Sequence, residues 1–317
     1  MTGTLASSAQ TILLTKNGRV DVNGNLGYWR DTTAALPYES IKNILFSAYK
    51  SQYSPNIAFD RSAHWFKVEI TNQSQTPEWL MEVAYAPLDQ VDFYVVRSDG
   101  TLTHKVSGDH FPIAQRDLAH RHPIFAFSIT PGESTVIYLR VQSISSVQVP
   151  ITFWHRDAFL KTSYSIQLLN GLFYGAMLLM ILYQLFLFFS IRERITFFYV
   201  LTLMTMINVV AFFQGYSFLY VYPNSPWFND ILAMITGPIF VVCSTLLTRA
   251  FLNVRQFSKL LDNLLVGNMI ADLVVAEAGY ESVLRVRRVG ELRAVAEADL
   301  RVEFGRHHRD RALADLH

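Results

Sequence analysis

Cysteine is almost missing from these 317 residues. The one thiol, Cys243, lies inside an apolar run, so neither a disulfide framework nor a cysteine metal cluster is available. Charge is scarce as well: 17% of residues are Asp, Glu, Lys or Arg, where a soluble protein carries about a quarter. The net charge of +1 supplies no field that would gather nucleic acid or another polyanion. The chain has no P-loop, no Gly-rich dinucleotide turn, no nucleophile elbow and no paired-Cys zinc motif. It also has no internal repeat. These absences leave no catalytic residue, cofactor or metal to expect, and an enzyme is not the expected class.

The missing charge is concentrated in one half. Residues 166–252 hold five ionisable Arg, Glu and Asp residues. Gln167 to Phe189 is a run of 23 residues without any charge, and roughly 20 such residues span the hydrocarbon core of a bilayer. Residues 195–221 and 231–248 form two more uncharged stretches, so three membrane helices are expected, 167–189, 195–221 and 231–248. Arg192 and Arg194 lie in the first connection, no Lys or Arg in the second, and Arg249, Arg255 and Lys259 follow the third. The positive-inside rule then puts the first and third connections in the cytoplasm and the soluble half outside. Gly171 and Gly175 make a small-residue face that lets another helix approach, a route to homo-oligomers. Pro238 should kink the third helix. No acidic or basic residue falls at mid-membrane in these spans, which argues against an ion or proton pump.

Before the membrane half the period changes to two. Residues 64–71, 79–84, 91–96, 124–129 and 135–141 alternate apolar and polar side chains, separated by turn signals such as Ser98-Asp99-Gly100 and Thr130-Pro131-Gly132. Short strands at this spacing predict an antiparallel β-sandwich or jelly roll over residues 26–160, after an extension at 1–25. Residues 38–50 read as one short helix. The fold class expected is therefore a multi-domain membrane protein, with an all-β jelly-roll or sandwich domain followed by an α-helical transmembrane region.

Few residues stand out as ligands. His120 and His122 stand two apart and, with Asp109, His110 or Asp117, could meet a metal, but one such pair is far short of a ligand set and solvated loop histidines are expected. Asn72-Gln73-Ser74 matches a glycosylation acceptor, which matters only if the chain passes through a glycosylating secretory route. Trp65, Trp79 and Tyr85 could stack on sugar rings, although core packing suits each of them better. The residues singled out for a small ligand are Trp79, Tyr85, Asp109, Arg116 and His122, polar or aromatic groups in or near predicted loops.

Two blocks of sequence resemble a known family. HWFKVEITNQS, WLMEVAYAPLDQVDFYVV, SGDHFPIAQR and VIYLRVQSISSVQVPITFWHRDAF look like the extracellular jelly-roll sensor of bacterial seven-transmembrane receptors with diverse intracellular signalling modules. LNGLFYGAMLLMILYQLFLFFSIRERITFFYVL looks like the start of that family's seven-helix region, and together the blocks cover roughly residues 26–260. The resemblance implies a bacterial inner-membrane receptor, whose periplasmic sensor resembles carbohydrate-binding modules and takes a small ligand, and whose helices signal to a cytoplasmic output domain. A sensor fragment of a longer diguanylate cyclase or histidine kinase is an alternative, as is a structural membrane partner.

The ends depart from the family. MTGTLASSAQTILLTKNG lacks the features of a signal peptide. Residues 260–278 would be a fourth helix, yet Asp262, Asp272 and Glu277 interrupt it, each at a cost of about 2.5–3.5 kcal/mol at the membrane centre. Residues 283–317 carry eight arginines and no lysine, a composition expected of a shifted reading frame that ends a truncated receptor, the alternative being a charged amphipathic cytoplasmic helix.

Overall fold

A computed structural model describes residues 11–281, apart from 23, 25, 50, 52, 98 and 99; the Arg-rich tail at 283–317 lies outside the described residues. The described chain divides into two compact units. One comprises the residues up to 192 together with 206–229, the other 193–205 together with those from 230 onward.

The strands of the first unit are β1 (Ile12–Leu14), β2 (Arg19–Val22), β3 (Gly27–Asp31), β4 (Ser47–Ala48), β5 (Asn56–Phe59), β6 (Ala63–Asn72) and β7 (Glu78–Val83). They continue as β8 (Gln90–Val96), β9 (Leu102–Ser107), β10 (Ile124–Ser128), β11 (Ser134–Gln142), β12 (Ser146–Gln148) and β13 (Ile151–Trp154). A seven-stranded sheet runs β4-β3-β6-β11-β8-β9 with β1 added in parallel to β6, and a four-stranded sheet runs β10-β7-β13-β2. A small pair, β5 with β12, completes the set.

Alternation decides which side chains meet between the sheets. Phe66, Val68 and Ile70 of β6, Ile137, Leu139 and Val141 of β11, and Val91, Phe93 and Val95 of β8 point inward from the large sheet. They meet Trp79, Met81 and Val83 of β7, Phe125 of β10, and Ile151 and Phe153 of β13. Each such side chain taken fully out of water contributes about 1.5–3 kcal/mol. All five strands expected from period two are present, each within two residues of its expected ends.

Two expectations fail. The stretch at 38–50 is helical only over α1 (Tyr38–Ile41), and Ser47–Ala48 is strand. One turn has too few hydrogen bonds to persist alone; the segment is held because Ile41, with Ile44 and Phe46, covers Trp65 and Tyr138 on the outer face of the large sheet. Within the expected extension at 1–25, β1 and β2 belong to the sandwich: Ile12 pairs with Ile70, and Val22 with Ile151, so each sheet takes a strand from it.

Helices follow. α2 (Arg156–Ile191) starts one residue after β13, and its 36 residues amount to about 54 Å at 1.5 Å per residue, longer than a bilayer core. Its first turns are consequently not membrane: Phe159 packs with Ile124 and Trp154 on the outer face of the four-stranded sheet. α3 (Arg194–Phe213) is followed by a break at Gln214-Gly215 and then by α4 (Tyr216–Tyr220), so the uncharged stretch 195–221 is not one helix. α5 (Pro226–Phe251) runs through Pro238, α6 (Val254–Phe257) is a single turn, and residues 259–281 are helical. Among the described residues α2, α3 and α5 are long and apolar enough to cross a membrane. Leu168, Leu172, Leu179 and Phe186 of α2 are each more than 60% exposed, a surface that water would penalise and lipid would not. In the second unit Asp262, one of the acids that burden 260–278, receives both Nε and Nη2 of Arg249, at 2.6 and 3.1 Å.

Candidate functional site

The candidate ligand residues separate into interior and junction groups. Trp79 is 1% exposed and belongs to the sandwich core, and Trp65 is wholly buried, so neither offers a ring face to a sugar. Asn72 is also buried. Its Nδ2 donates to the carbonyls of Thr76 and Ile129, which excludes the acceptor reading of Asn72-Gln73-Ser74 in the folded protein. Tyr85 is half-buried against the core, and burial, together with the Asp109 carboxylate, pushes its phenol up.

Asp109 and Arg116 are brought together in a junction and not in an open cleft, with His122 beside it. Loops at one end of the sandwich meet residues 215–229, the segment holding the helix break, α4 and the start of α5. Asn229 Nδ2 donates to Asp109 Oδ2 at 2.9 Å, and the Ile113 N–H donates to the Pro223 carbonyl at 3.0 Å. The Arg116 guanidinium donates to the carbonyls of His120 (2.7 Å) and Gly108 (2.9 Å) and lies 5.5 Å from the Phe218 ring. Burial pulls its pKa down to about 10. Arg121 stacks 5.0 Å from the Tyr216 ring. Gly215, at φ +77°, fits against Ala86 and the Arg121 carbonyl, where a Cβ would come within 2.7 and 3.0 Å.

Beside this junction the histidine pair finds a partner that no local reading could supply. His122 Nδ1 lies 2.7 Å from Oε1 of Glu82, forty positions upstream on β7, and Trp154 Nε1 donates to the other oxygen at 2.8 Å. Burial pushes the Glu82 carboxyl up, but the bonds from His122 and Trp154 outweigh it and hold the group below the usual carboxylate range. Burial, reinforced by the neighbouring His122, pulls the His120 pKa down to about 4, and burial also lowers that of His122. These are not the solvated loop histidines expected. A second set, Asp89, Asp109 and His110, also brings three donors within 4.8 Å of one another.

A ligand-sized opening lies elsewhere on the sandwich. At the edge where β9 of one sheet faces β10 of the other, a cleft of about 390 Å³ is lined by Glu78, Arg97, Lys105 and Arg156 over Leu80 and Phe127. Arg97 Nη2 donates to Ser128 Oγ at 3.2 Å, and Lys105 Nζ to Asp117 Oδ2 and the Ala126 carbonyl at 2.6 and 2.7 Å, so both cations bridge the two sheet edges. Trp79 reaches this cleft only from beneath. Sequence reasoning missed Arg97, Lys105 and Arg156 because strand order, not chain order, makes them neighbours. Among the described residues, a Cβ at Gly171 or Gly175 would find no atom within 4 Å.

Comparison with known proteins gives two family matches. Residues 23–155 match "7TMR-DISM extracellular 2", and residues 166–283 match "7TM diverse intracellular signalling". Among curated proteins none matches the chain. Three solved structures show slight likeness. A 4-O-methyl-alpha-glucuronidase with specificity for decorated arabinogalactans has a TM-score of 0.26 at 7% identity, over 45% of this chain and 18% of its own. A carbohydrate-binding module in complex with beta-1,4-galactotriose has a TM-score of 0.23 at 10% identity, over 41% of this chain and 82% of its own. A protein from Shewanella oneidensis has 0.12 at 18%, over 31% and 68%. Scores this low carry no argument about function.

Proposed function

We propose that this chain, which belongs to the 7TMR-DISM receptors, reads a small periplasmic ligand in the cleft between β9 and β10 and passes its occupancy to the first membrane helix. The matched families describe a membrane signalling receptor with an extracellular sensor and a 7TM domain. The ligand proposed is a carbohydrate bearing acidic groups. A cleft of about 390 Å³ falls within the usual range of small-ligand sites, about 300–1,000 Å³. Arg97, Lys105 and Arg156 would give a carboxylate charge-assisted hydrogen bonds, while Leu80 and Phe127 would lie beneath the apolar face of a sugar ring.

One observation carries the reading: Arg156 lines the cleft and is also the first residue of α2. A ligand that draws Arg156 toward Arg97 and Lys105 acts on the helix directly, with only His155 between the last strand and the span. Signalling requires the ligand to bind one arrangement of that helix better than another. The distribution of Arg192, Arg194, Arg249 and Arg255 supports a bacterial inner-membrane protein with its sandwich in the periplasm.

The test is thermal unfolding of the full chain in lipid nanodiscs, against neutral oligosaccharides, uronic-acid oligosaccharides and cell-wall fragments. Ligand at a hundred times its dissociation constant stabilises by about 2.7 kcal/mol, which is readily measured. The acidic sugars should shift unfolding upward, and the paired change Arg97→Ala with Arg156→Ala should remove the shift. No shift with any of these ligands, or an equal shift in the paired variant, would overturn the assignment.

A further inference from the structure

We propose that Glu82, His120 and His122 form a binding site for one transition-metal ion of the zinc type. Glu82 stands on the outer face of the four-stranded sheet, and the histidines close over it from the loop that precedes β10. One donor atom from each lies within 4.8 Å of the other two. Tetrahedral zinc, with its ligands at about 2.0–2.2 Å, places donors ~3.3 Å apart. Small side-chain rotations therefore gather the set without moving a strand.

The hydrogen bonding around the set suits the ion. Glu82 Oε1 and His122 Nδ1 are 2.7 Å apart and share a proton. An ion entering between them takes that proton's place, and the imidazole carries its hydrogen on Nε2 instead. Trp154 Nε1 fixes the carboxylate through Oε2, the outer-shell support that metal ligands commonly have.

The fourth position is open. Glu82 and His120 line a cavity of about 30 Å³ with Thr162 and Ser163 of α2, enough for a water, which needs about 10–15 Å³ of such space. Two imidazoles and one carboxylate suit zinc and the late first-row metals, and not calcium or magnesium, which prefer oxygen alone. His120 packs edge-on to Phe159 of α2 at 5.3 Å, which puts the ion at the joint between sheet and helix. This site is separate from the sugar cleft, and either can fail without the other.

The experiment uses the full chain in nanodiscs, stripped by a chelator and carrying His307→Ala and His308→Ala throughout to remove the paired tail imidazoles. Co²⁺ is titrated while its visible absorption is followed, and Zn²⁺ is then added as competitor. One equivalent of Co²⁺ with the intense bands of a tetrahedral site is expected, displaced by Zn²⁺. Glu82→Gln, which keeps an acceptor for Trp154, and His120→Ala should each weaken binding at least tenfold. Melting curves of the chelated variants establish that they are folded. Absence of the tetrahedral spectrum in the parent chain, or equal affinity in a folded Glu82→Gln chain, would overturn the site.

Discussion

At the scale of single residues, acid should loosen this protein through its buried histidines. His64, His120 and His122 all have depressed pKa values, burial being the first cause in each, and His120 is lowered from 6.5 to about 4. A histidine whose folded pKa lies below its unfolded one binds more protons when unfolded. Its contribution is whole above the unfolded value and is lost as pH falls toward the folded one. Glu82, also depressed, loses its contribution at lower pH still, below its ordinary 4.5. Unfolding temperature in chelator should therefore fall from pH 6.5 toward pH 4. His120→Gln should flatten that slope, leaving the remainder to His64 and His122. Parallel slopes for the parent and His120→Gln would contradict the assignment of His120 as a buried neutral base. The pair His120 and His122 was legible in the sequence, but Glu82 was not, because nothing local marks a strand carboxylate as facing a distant loop.

At the scale of elements, the long strands and uncharged helices were readable because each writes its own period. β6, β8 and β11 alternate cleanly between core and outer face. The short pieces were not readable. β1, β4 and β12 have two or three residues each and exist only through their partners. The break at Gly215 was hidden for a similar reason: an apolar stretch with one glycine reads as one helix until the sandwich supplies a surface for that glycine to meet. Gly215→Ala should lose about 1–3 kcal/mol from the left-handed backbone alone, and its methyl would press on Ala86 and the Arg121 carbonyl. Hydrogen–deuterium exchange should then rise in residues 216–229 while β6 and β11 stay protected. Unchanged exchange in 216–229 would mean the contact does not hold that segment. The cleft between β9 and β10 was illegible for the same topological reason, since Arg97, Lys105 and Arg156 converge only once β9 and β10 form facing edges.

At the scale of the whole molecule, orientation follows from charge and can be read by labelling. In a Cys243→Ser background, Tyr53→Cys lies on the sandwich at a residue 81% exposed, and Glu193→Cys lies in the first connection between spans. A membrane-impermeant maleimide applied to spheroplasts should modify position 53 at once and position 193 only after permeabilisation. The reverse order would turn the topology over. The junction described above also bears on how portable this sensor is. The matched sensor region stops at residue 155, but Trp154 and Ile124 rest on Phe159, Arg116 on Phe218, and Asp109 on Asn229. Receptors assembled by swapping sensors at that boundary would separate buried partners on both sides of the cut. A graft that keeps its signal must carry the first turns of α2 and residues 215–229 along with the sandwich, so the unit of exchange is larger than the sensor region alone.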